Sequence, residues 1–401
     1  MTEKDIIIIG GGAAGFFAAI NAAEINPKKT ILLLERGKDV LTKVKISGGG
    51  RCNITNAEFL PGEFVKNYPR GERELRGPMH TFMSGDIIGW FEDRGISLKT
   101  EEDGRIFPES NTSQTIVDFF INRAESLGIE VRRKEAVQDL SRNGNAWEIK
   151  TSLGSFTAEK VMVATGSNPK IWGILKKLGH TIVPGVPSLF TFRIEDERIK
   201  DLPGISTEAV VKFGNLQTRG PLLITHWGMS GPAILKLSAW GARELSSIKE
   251  FEIEVNWIGN MNSREVLEEL KALKKEYAKQ QVMKKSFFDL PKRLWQNLVK
   301  ASHIAGEMRW ADLNKDQLSA LSSQMTSGVF QVSGKSTFKE EFVTAGGVEL
   351  REVNFKTFES RITPNLFLAG EVLNIDAITG GFNFQNAWTG AFIAAKTLSE
   401  G

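Results

Sequence analysis

Several residue types that carry chemistry are scarce in this chain of 401 residues. Cys52 is the single cysteine, so a disulfide within the chain is excluded and a reducing compartment is expected. The same count excludes electron transfer to a dithiol of the chain itself, which needs two cysteines. The four histidines are scattered without ligand spacing, and we therefore expect no metal site. They are His80, His180, His226 and His303.

The sequence also lacks long apolar runs and a strong excess of one charge. No apolar stretch approaches the ~20 residues that span a bilayer. The chain enters its first predicted strand within five residues, which leaves no room for a signal peptide. Lys and Arg number 51 against 48 Asp and Glu, a net charge of +3, and no basic block is evident. These absences predict a cytoplasmic protein whose main partner is neither a membrane nor a nucleic acid.

The most informative segment present is a strand, a glycine turn and a helix at the N-terminus. Ile6–Ile9 is a β-branched run typical of a buried parallel strand. It leads into Gly10–Gly15, which has the pattern Gly-x-Gly-x-x-Gly and precedes an alanine-rich helix. Gly10 allows the tight turn, Gly12 lets the backbone approach a pyrophosphate, and Gly15 lets the helix pack closely on the strand.

An acidic residue completes this pattern. A second apolar strand, Ile31–Leu34, ends in Glu35, twenty residues after Gly15. An acid is needed at this place to accept hydrogen bonds from a ribose. The strand, turn, helix and acid together predict dinucleotide binding, with an ordinary glycine turn of an α/β protein as the alternative.

Two further glycine-rich segments indicate that the dinucleotide is FAD. Lys43–Asn56 holds three consecutive glycines, which form a loop of backbone donors suited to a long anionic ligand. Near the C-terminus, the strand Leu366–Ala369 is followed by Gly370-Glu371 and by the segment Asp376–Ala387, which opens a helix of small residues. A nicotinamide dehydrogenase has no evident use for this element, whereas FAD extends across the sheet and needs more donors. The alternative is a C-terminal strand and helix that only complete the sheet.

These segments carry a family resemblance. Lys43–Asn56, Gly104–Pro108, Thr225–Pro232 and Thr379–Asn383 follow the pattern of a bacterial family of FAD-dependent NAD(P)/FAD oxidoreductases, which the chain resembles over nearly its whole length. That family includes the 3-dehydro-bile-acid Δ4,6-reductase. The resemblance implies a Rossmann-like FAD-binding domain of glutathione-reductase type, an inserted β-rich domain and a small helical part. Ser167–Gly173 is shorter and more apolar than the family's loop at this place, so contacts made through that loop are not carried over.

The order of predicted elements indicates an α/β fold with an insertion. Residues 1–188 and 345–401 are expected to form a discontinuous FAD-binding domain. Residues 189–344 are expected to form the β-rich insertion, with a helical segment at about 262–325 whose charged helices are interpreted as a solvated face. Other predicted elements are the meander strands Glu135–Leu140, Ala146–Thr151 and Ser155–Ala158, a separate central strand Val161–Ala164, the helix Pro232–Leu245 and the strand Phe342–Thr344.

FAD is the expected cofactor, and its contacts are expected from the glycine segments and the elements around them. The predicted cofactor-binding residues are Gly10, Gly12, Ala13, Ala14, Gly15, Glu35, Arg36, Lys43, Ser47, Gly48, Gly49, Arg51, Cys52, Asn53, Val137, Thr165, Gly166, Gly370, Glu371, Asp376, Gly381, Phe382 and Asn383. Cys52 is interpreted as a small residue packed under the cofactor, with a reactive thiol as the alternative. No catalytic acid or base is assigned.

Arg105 and His226 are the predicted substrate-binding residues, since each lies in a turn of the family pattern. For Arg105 the alternative is bracing of a loop, and for His226 it is hydrogen-bonded packing.

The resemblance implies an oxidoreductase that transfers hydride between flavin and a small or medium organic substrate, with reduction of an activated C=C bond as the implied reaction. No second Gly-x-Gly-x-x-Gly follows a strand in mid-chain, so NAD(P)H is left open as a transient partner only. One alternative is an FAD-dependent RNA-modifying enzyme, against which the near-neutral charge and the single cysteine argue. The other is a flavin-binding protein without turnover.

Overall fold

The computed structural model describes residues 2–259, 261–336 and 343–400. The chain forms two compact units, one of Met1–Val186 with Lys339–Gly401 and one of Pro187–Phe338. Residue 342, the predicted start of the strand Phe342–Thr344, lies outside the described residues. The domain boundaries at 188/189 and 344/345 stay a prediction.

The first unit begins with β1 (Thr2–Ile9), α1 (Ala13–Ile25), β2 (Ile31–Leu34), α2 (Thr42–Gly50), β3 (Thr55–Asn56), α3 (Pro61–Phe64), α4 (Glu72–Met79), α5 (Ser84–Glu92), β4 (Leu98–Thr100), β5 (Arg105–Pro108), α6 (Ser113–Ser126), β6 (Glu130–Arg132), β7 (Val137–Asn143), β8 (Ala146–Thr151), β9 (Ser155–Val163), α7 (Pro169–Lys177) and β10 (Ile182–Ser188). The second unit contains β11 (Thr191–Arg193), β12 (Ser206–Phe213), β13 (Leu216–Thr225), β14 (Gly228–Ser230), α8 (Pro232–Trp240), α9 (Ala242–Ser247), β15 (Phe251–Asn256), α10 (Ser263–Glu276), α11 (Lys292–Ala301), α12 (Lys315–Thr326), β16 (Gly328–Val332) and β17 (Gly334–Ser336). The chain returns to the first unit with β18 (Val343–Val348), β19 (Val353–Asn354), β20 (Glu359–Ser360), β21 (Leu366–Leu368) and α13 (Phe382–Ser399).

A mixed sheet forms the core of the first unit. Its parallel strands lie in the order β6-β2-β1-β9-β21, with Ile7 between Leu32 and Val161 in register. The residues of β2 and the second half of β1 are at most 3% exposed, which explains their unbroken apolar runs. Parallel strands in this order, with α1 between β1 and β2, form the doubly wound arrangement of a Rossmann fold.

The structure corrects the prediction of two separate strands at Ser155–Ala158 and Val161–Ala164. One strand, β9, runs unbroken over Ser155–Val163, pairing with β8 along its first half and with β1 along both halves. Lys160 lies within this strand, and its ammonium group donates to the carbonyl of Thr397 at 2.8 Å, at the end of α13. A cation at a helix C-terminus is electrostatically favourable, so the strand continues through a charged residue.

The second unit is built on an antiparallel sheet in the order β16-β15-β12-β13-β14-β11-β17. Its apolar side packs against the helices, and Trp257, Trp295 and Trp310 are almost fully buried in this core. The single helix predicted over Pro232–Leu245 is wrong: α8 and α9 are separate and meet at Gly241. Glycine is unfavourable inside a helix, and here it caps the end of one helix and the start of the next.

Candidate FAD site

The glycine turn after β1 is in direct contact with the ends of two neighbouring strands. The N–H of Gly10 donates to the carbonyl of Leu34 at 2.8 Å. A Cβ atom on Gly10, whose φ is +113°, would lie 2.4 Å from the carbonyl oxygen of Ala164. Only glycine fits this left-handed, crowded position.

Gly12 and Gly15 differ sharply in their surroundings. A Cβ on Gly15 would lie 1.9 Å from the carbonyl oxygen of Gly10, so this glycine is needed for the helix to pack on the turn. A Cβ on Gly12 would meet no described atom within 4 Å. Gly12 is the N-cap of α1, whose first N–H groups lack intrahelical acceptors. This open space at a helix N-terminus suits a pyrophosphate.

Glu35 holds the glycine turn in place from the end of β2. Its Oε2 accepts from the N–H of Gly11 at 2.8 Å, and its Oε1 accepts from the N–H of Gly37 at 2.6 Å. A carboxylate oxygen has capacity for a further bond, which leaves an acceptor for a ribose hydroxyl. The N–H of Glu135 donates to the Glu35 carbonyl at 2.9 Å, which brings the segment leading to Val137 to the same edge.

The predicted glycine loop is the kinked end of α2. Ser47 is extended, and the three following glycines have φ of 58°, 68° and 81°. A Cβ on Gly49 or Gly50 would meet no described atom within 4 Å. Consecutive backbone units in this conformation can direct N–H groups at an anion. The role of this loop as a set of backbone donors for the cofactor stays a prediction.

Cys52 and Arg51 end this loop, and both are engaged by the protein. The N–H of Cys52 donates to the carbonyl of Ser47 at 3.0 Å. Burial raises the pKa of the Cys52 thiol to about 12, against a smaller opposing effect of its hydrogen bond with Ser47. A thiol that stays protonated favours the packed-residue interpretation over a reactive one. The Arg51 guanidinium pairs with Glu101 at 2.5 Å and lies 3.9 Å from the Phe107 ring centroid.

The segment after the loop is hydrogen-bonded to the start of α13, far away in sequence. With its amide oriented to satisfy its neighbours, Asn53 accepts from the N–H of Gly381 at 3.0 Å. Asn56 donates to the carbonyl of Gly380 at 3.1 Å. A Cβ on Gly381, whose φ is +95°, would lie 2.5 Å from the carbonyl oxygen of Thr55. The two predicted flavin segments thus form one continuous surface.

Polar side chains fix the N-terminus of α13 itself. The Tyr68 hydroxyl donates to the carbonyl of Phe382 at 2.6 Å. The Asn383 amide accepts from the N–H of Ala377 and donates to its carbonyl, both at 3.0 Å. The side chain of Asn383 therefore positions the turn before the helix.

Two ion pairs involve three further predicted residues, Lys43, Glu371 and Asp376. Lys43 pairs with Glu371, and a Cβ on Gly166 would lie 3.5 Å from the Oε2 of Glu371. Arg70 pairs with both oxygens of Asp376, which is fully buried. This bidentate pair favours a positioning role for Asp376 over direct contact with a cofactor.

Three buried oxygen atoms of the first unit have no hydrogen-bond partner among the described residues. They are Thr165 Oγ1, Asn374 Oδ1 and Asn386 Oδ1. Buried polar groups are nearly always bonded, so these oxygens are available to a bound molecule. Thr165 lies beside Gly10, its Cα 3.0 Å from where a Cβ of that glycine would stand. These orphaned atoms and the open space at Gly12 fit FAD.

Asn374 and Asn386 are absent from the predicted set. Asn386 lies in α13 and is 2% exposed, but this helix also carries other polar residues such as Asn383, Gln385 and Thr389, so the sequence does not single it out. Asn374 lies in a loop and gives no signal either. Arg36, which is predicted to contact the cofactor, is exposed.

The two predicted substrate residues lie in different units. Arg105 binds Asp103 at 2.7 Å and Glu101 at 3.2 Å, which favours the loop-bracing interpretation. His226 lies between β13 and β14, is exposed, and makes no side-chain hydrogen bond within the described ranges.

The shortened segment Ser167–Gly173 forms the start of α7. Asn168 caps this helix by accepting from the N–H of Lys170 at 3.1 Å. The indole of Trp172 is buried and donates to the carbonyl of Val372 at 3.0 Å. The apolar character of this segment therefore serves packing.

A Rossmann sheet with a glycine turn and a second glycine–helix element defines the class of FAD-dependent oxidoreductases. The chain belongs to the HI0933-like family, since residues 4–397 match the HI0933-like protein Rossmann domain. This assignment confirms the predicted fold class, the cofactor FAD and the enzyme class. The individual cofactor-binding residues stay predictions.

Curated relatives match along their whole length. The chain is 29% identical to a ribosomal RNA dihydrouridine synthase of Escherichia coli (strain K12), over 99% of this chain and 98% of that protein. It is 27% identical to a 3-dehydro-bile acid delta(4,6)-reductase of Clostridium scindens, over 98% of each. Among solved structures, a quinol-fumarate reductase with menaquinol molecules aligns with a TM-score of 0.49 and 14% identity, over 99% of this chain and 71% of its own. Across the described residues, no helix is both long and apolar enough to cross a membrane.

Proposed function

We propose that this flavoprotein reduces a carbon–carbon double bond that is conjugated to a carbonyl group. The observation that carries the proposal is that full-length relatives with different substrates have this chemistry in common. Dihydrouridine is uridine whose ring double bond, conjugated to a carbonyl, has been saturated. A delta(4,6)-reductase of a 3-dehydro compound acts on double bonds that can be conjugated to the 3-oxo group.

Such a reduction needs a hydride, a contact for the substrate carbonyl and a proton. Reduced FAD supplies the hydride. The protein must hold the substrate carbonyl, where negative charge develops, and must deliver a proton to the carbon beside it. Arg105 and His226 stay the proposed contacts for this task. Because Arg105 is already bound by two carboxylates, we expect the larger effect from His226.

The state of Cys52 supports an organic acceptor over a thiol acceptor. It is the single cysteine of the chain, and burial keeps its thiol protonated. The chain therefore offers neither a pair of thiols nor a thiolate to accept electrons from the flavin. We expect a bound organic substrate to accept them.

The uracil ring of RNA is a second candidate substrate beside a small enone. The total charge of +3 led to the expectation that no nucleic acid is a partner. The names of two relatives, from E. coli and Haemophilus influenzae, stand against that expectation. A uracil ring and a cyclic enone both present a double bond conjugated to a carbonyl, so one active site chemistry serves either.

The proposal is tested by anaerobic reoxidation of the flavin. The purified holoenzyme is reduced with light or with NAD(P)H, and cyclic enones, uridine and uridine-containing RNA are added separately. We expect the visible absorbance of oxidised flavin to return faster with at least one of these compounds than with buffer. Saturated analogues, which lack the double bond, serve as controls and are expected to have no effect.

The variants His226→Ala and Arg105→Ala divide the roles of the two residues. A slower return of absorbance in His226→Ala with unchanged FAD content would support a substrate contact. If no conjugated compound reoxidises the flavin faster than buffer does, the protein is a flavin-binding protein without this turnover and the proposal is wrong.

A further inference from the structure

One part of the second unit has a charge very different from that of the whole chain. Residues 271–309 contain ten lysines and arginines and three acids, a net charge of +7 in a chain whose total is +3. The three acids are Glu276, Asp289 and Glu307. A small total charge therefore hides a strongly basic segment, which covers the end of α10, the loop 277–291, α11 and the residues after it.

The contacts of the loop place two of these cations on adjacent segments of the chain. Residues 278–282 run antiparallel beside 308–311, with the N–H of Val282 donating to the carbonyl of Met308 at 3.0 Å. This pairing sets Lys279 and Arg309 on neighbouring strands of chain. Of the three acids, Glu307 is bound by the Gln281 amide at 2.5 Å.

The same loop is attached to α11. Gln296 of α11 donates to the carbonyl of Met283 at 3.2 Å, and the Trp295 indole donates to the carbonyl of Val282 at 3.0 Å. Lys284 and Lys285 follow directly in the chain and are exposed. The part of the loop that leads to these lysines is therefore held against α11.

The outer side of α11 is polar and basic at helical spacing. Its exposed or half-exposed residues are Lys292, Arg293, Gln296, Asn297 and Lys300, whereas Leu294, Trp295, Leu298 and Val299 are buried. From Lys292 to Lys300 the helix rises about 12 Å. This row of donors is longer than a single phosphate group.

A groove of about 510 Å³ runs along this side of the helix. Its charged lining residues are Arg198, Lys200, Arg293, Lys300, Glu197 and Asp201. Glu197 is paired with Lys200 at 2.8 Å, and Asn297 donates to the Arg198 carbonyl at 3.3 Å. Arg198 is likewise paired with Asp196 at 2.6 Å, so Arg293 and Lys300 of α11 are the groove cations without a carboxylate partner among the described residues.

We propose that this basic face, made of the exposed cations Lys279, Lys284, Lys285, Lys292, Arg293, Lys300 and Arg309, binds the phosphate backbone of RNA. The proposal deepens the proposed function by naming the substrate class, and rests on it for the reaction. Cations spread over a loop, a helix and a groove suit a chain of phosphates better than one anion. A groove admits a strand, whereas a bilayer surface is flat.

Aromatic rings among the lysines support a nucleic acid over a featureless polyanion. The ammonium of Lys285 lies 5.1 Å from the ring centroids of Tyr277 and of Phe287, and both rings are half-buried. Phe287 also packs against Trp295 and Trp310, so Tyr277 is the ring of this pair that we expect to stack on a base. Gln296 and Asn297 add hydrogen-bond donors that suit phosphate or sugar oxygens.

The test measures binding of a fluorescein-labelled oligouridine to the oxidised holoenzyme by fluorescence anisotropy over a range of salt concentrations. The variant carries Lys284→Gln, Lys285→Gln, Lys292→Gln and Lys300→Gln, which are exposed positions. We expect it to bind at least about tenfold more weakly, with a salt slope shallower by about 3, since each of four lost contacts with a single strand removes about 0.7 units. FAD content and unfolding temperature report whether the variant is folded.

A matched control removes the same charge from the first unit. It carries Lys28→Gln, Lys176→Gln, Lys177→Gln and Lys356→Gln, all exposed. We expect its binding of the oligouridine to stay within about twofold of wild type. Equal weakening in both variants, no binding by the wild type, or tighter binding to vesicles of anionic phospholipid than to RNA would overturn the proposal. Because no turnover is measured, these outcomes are independent of the flavin reoxidation test.

Discussion

The candidate binding surfaces of the two units are built from different parts of the polypeptide, backbone groups in one and charged side chains in the other. In the first unit the surface is backbone, held by buried contacts such as the Glu35 carboxylate on the glycine turn. In the second unit it is a set of long, exposed lysine and arginine side chains. A backbone site is sensitive to single atoms, whereas a surface of exposed cations is sensitive to their number and to salt. This difference explains why the glycine-turn site is found from a sequence motif, whereas the basic face is not evident from the total charge of the chain.

We expect the largest loss of stability from adding one methyl group within the glycine motif. Gly15→Ala places a methyl group 1.9 Å from the Gly10 carbonyl oxygen, so we expect a loss of about 3 kcal/mol in the free energy of unfolding. Urea denaturation of the protein without FAD measures it.

Gly12→Ala is the matched variant, since its methyl group enters open space. We expect the stability of the protein without FAD to change by less than about 0.5 kcal/mol. FAD binding should weaken by about 2 kcal/mol, or about thirtyfold, because the methyl group occupies the space proposed for the pyrophosphate. If Gly12→Ala retained full FAD affinity, the pyrophosphate would lie elsewhere.

The part of this region that could be predicted from the sequence is local. Gly10, Gly12, Gly15 and Glu35 follow from a strand, a turn and a helix within 35 residues, where spacing alone dictates geometry. The confirmed Rossmann fold follows from the same pattern and the buried strands.

What could not be predicted depends on contacts between distant parts of the chain. The continuity of β9 depends on Lys160 reaching carbonyl groups at the end of α13. The availability of Asn374 and Asn386 depends on neighbours that leave their oxygens unbonded. The basic face is not evident from the total charge, because the net charge of +7 in residues 271–309 is partly offset by an excess of acids elsewhere in the chain, which leaves +3.

The next effect in size tests the joint between the glycine loop and α13. Asn53→Ala removes bonds to Gly381, Ile106 and Thr55 and leaves buried partners unsatisfied, so we expect a loss of about 2 kcal/mol. The exposed Asn143, which has one bond to Glu148 at 2.6 Å, is the control, and Asn143→Ala should cost under about 0.5 kcal/mol. Chemical denaturation compares the two, and equal losses would contradict the importance given to this joint.

A pH effect is expected from the first unit. His180 is buried between Glu352 and Ser360, each at 3.0 Å, and burial lowers the pKa of His180 below 6.5 despite the opposing hydrogen bond to Glu352. The unfolded chain then binds more protons than the folded one just below that pH. Stability is therefore full above 6.5 and falls as the pH decreases, by at most about 1.4 kcal/mol per pH unit.

Denaturation between about pH 5.5 and 7.5 measures this slope, since it brackets the ordinary titration of histidine. Glu352 does not titrate in this range. Burial raises the pKa of its carboxyl group, but hydrogen bonds from Thr181 and His180 outweigh that effect and hold the pKa below 4.5. In His180→Gln the slope should become shallower by up to one proton. An unchanged slope would assign the effect to other groups.

We expect the smallest effect from changes to the Cys52 thiol, by chemical modification or by substitution with alanine. With its pKa raised from 9.0 to about 12, the thiolate fraction is about a thousandfold lower than in the unfolded chain. An aromatic disulfide reagent should therefore modify the protein only after unfolding in urea, and Cys52→Ala should retain its FAD. Rapid modification of the folded holoenzyme would restore the reactive-thiol interpretation.

The most direct test of the central claim is mass spectrometry of the product from a single anaerobic turnover. The reduced holoenzyme is mixed with the conjugated substrate that reoxidises its flavin, and the organic product is compared with the starting compound. The account predicts a product heavier by two hydrogen atoms, saturated at the double bond next to the carbonyl, in an amount that matches the flavin reoxidised. Flavin reoxidation with recovery of the unchanged compound would contradict it.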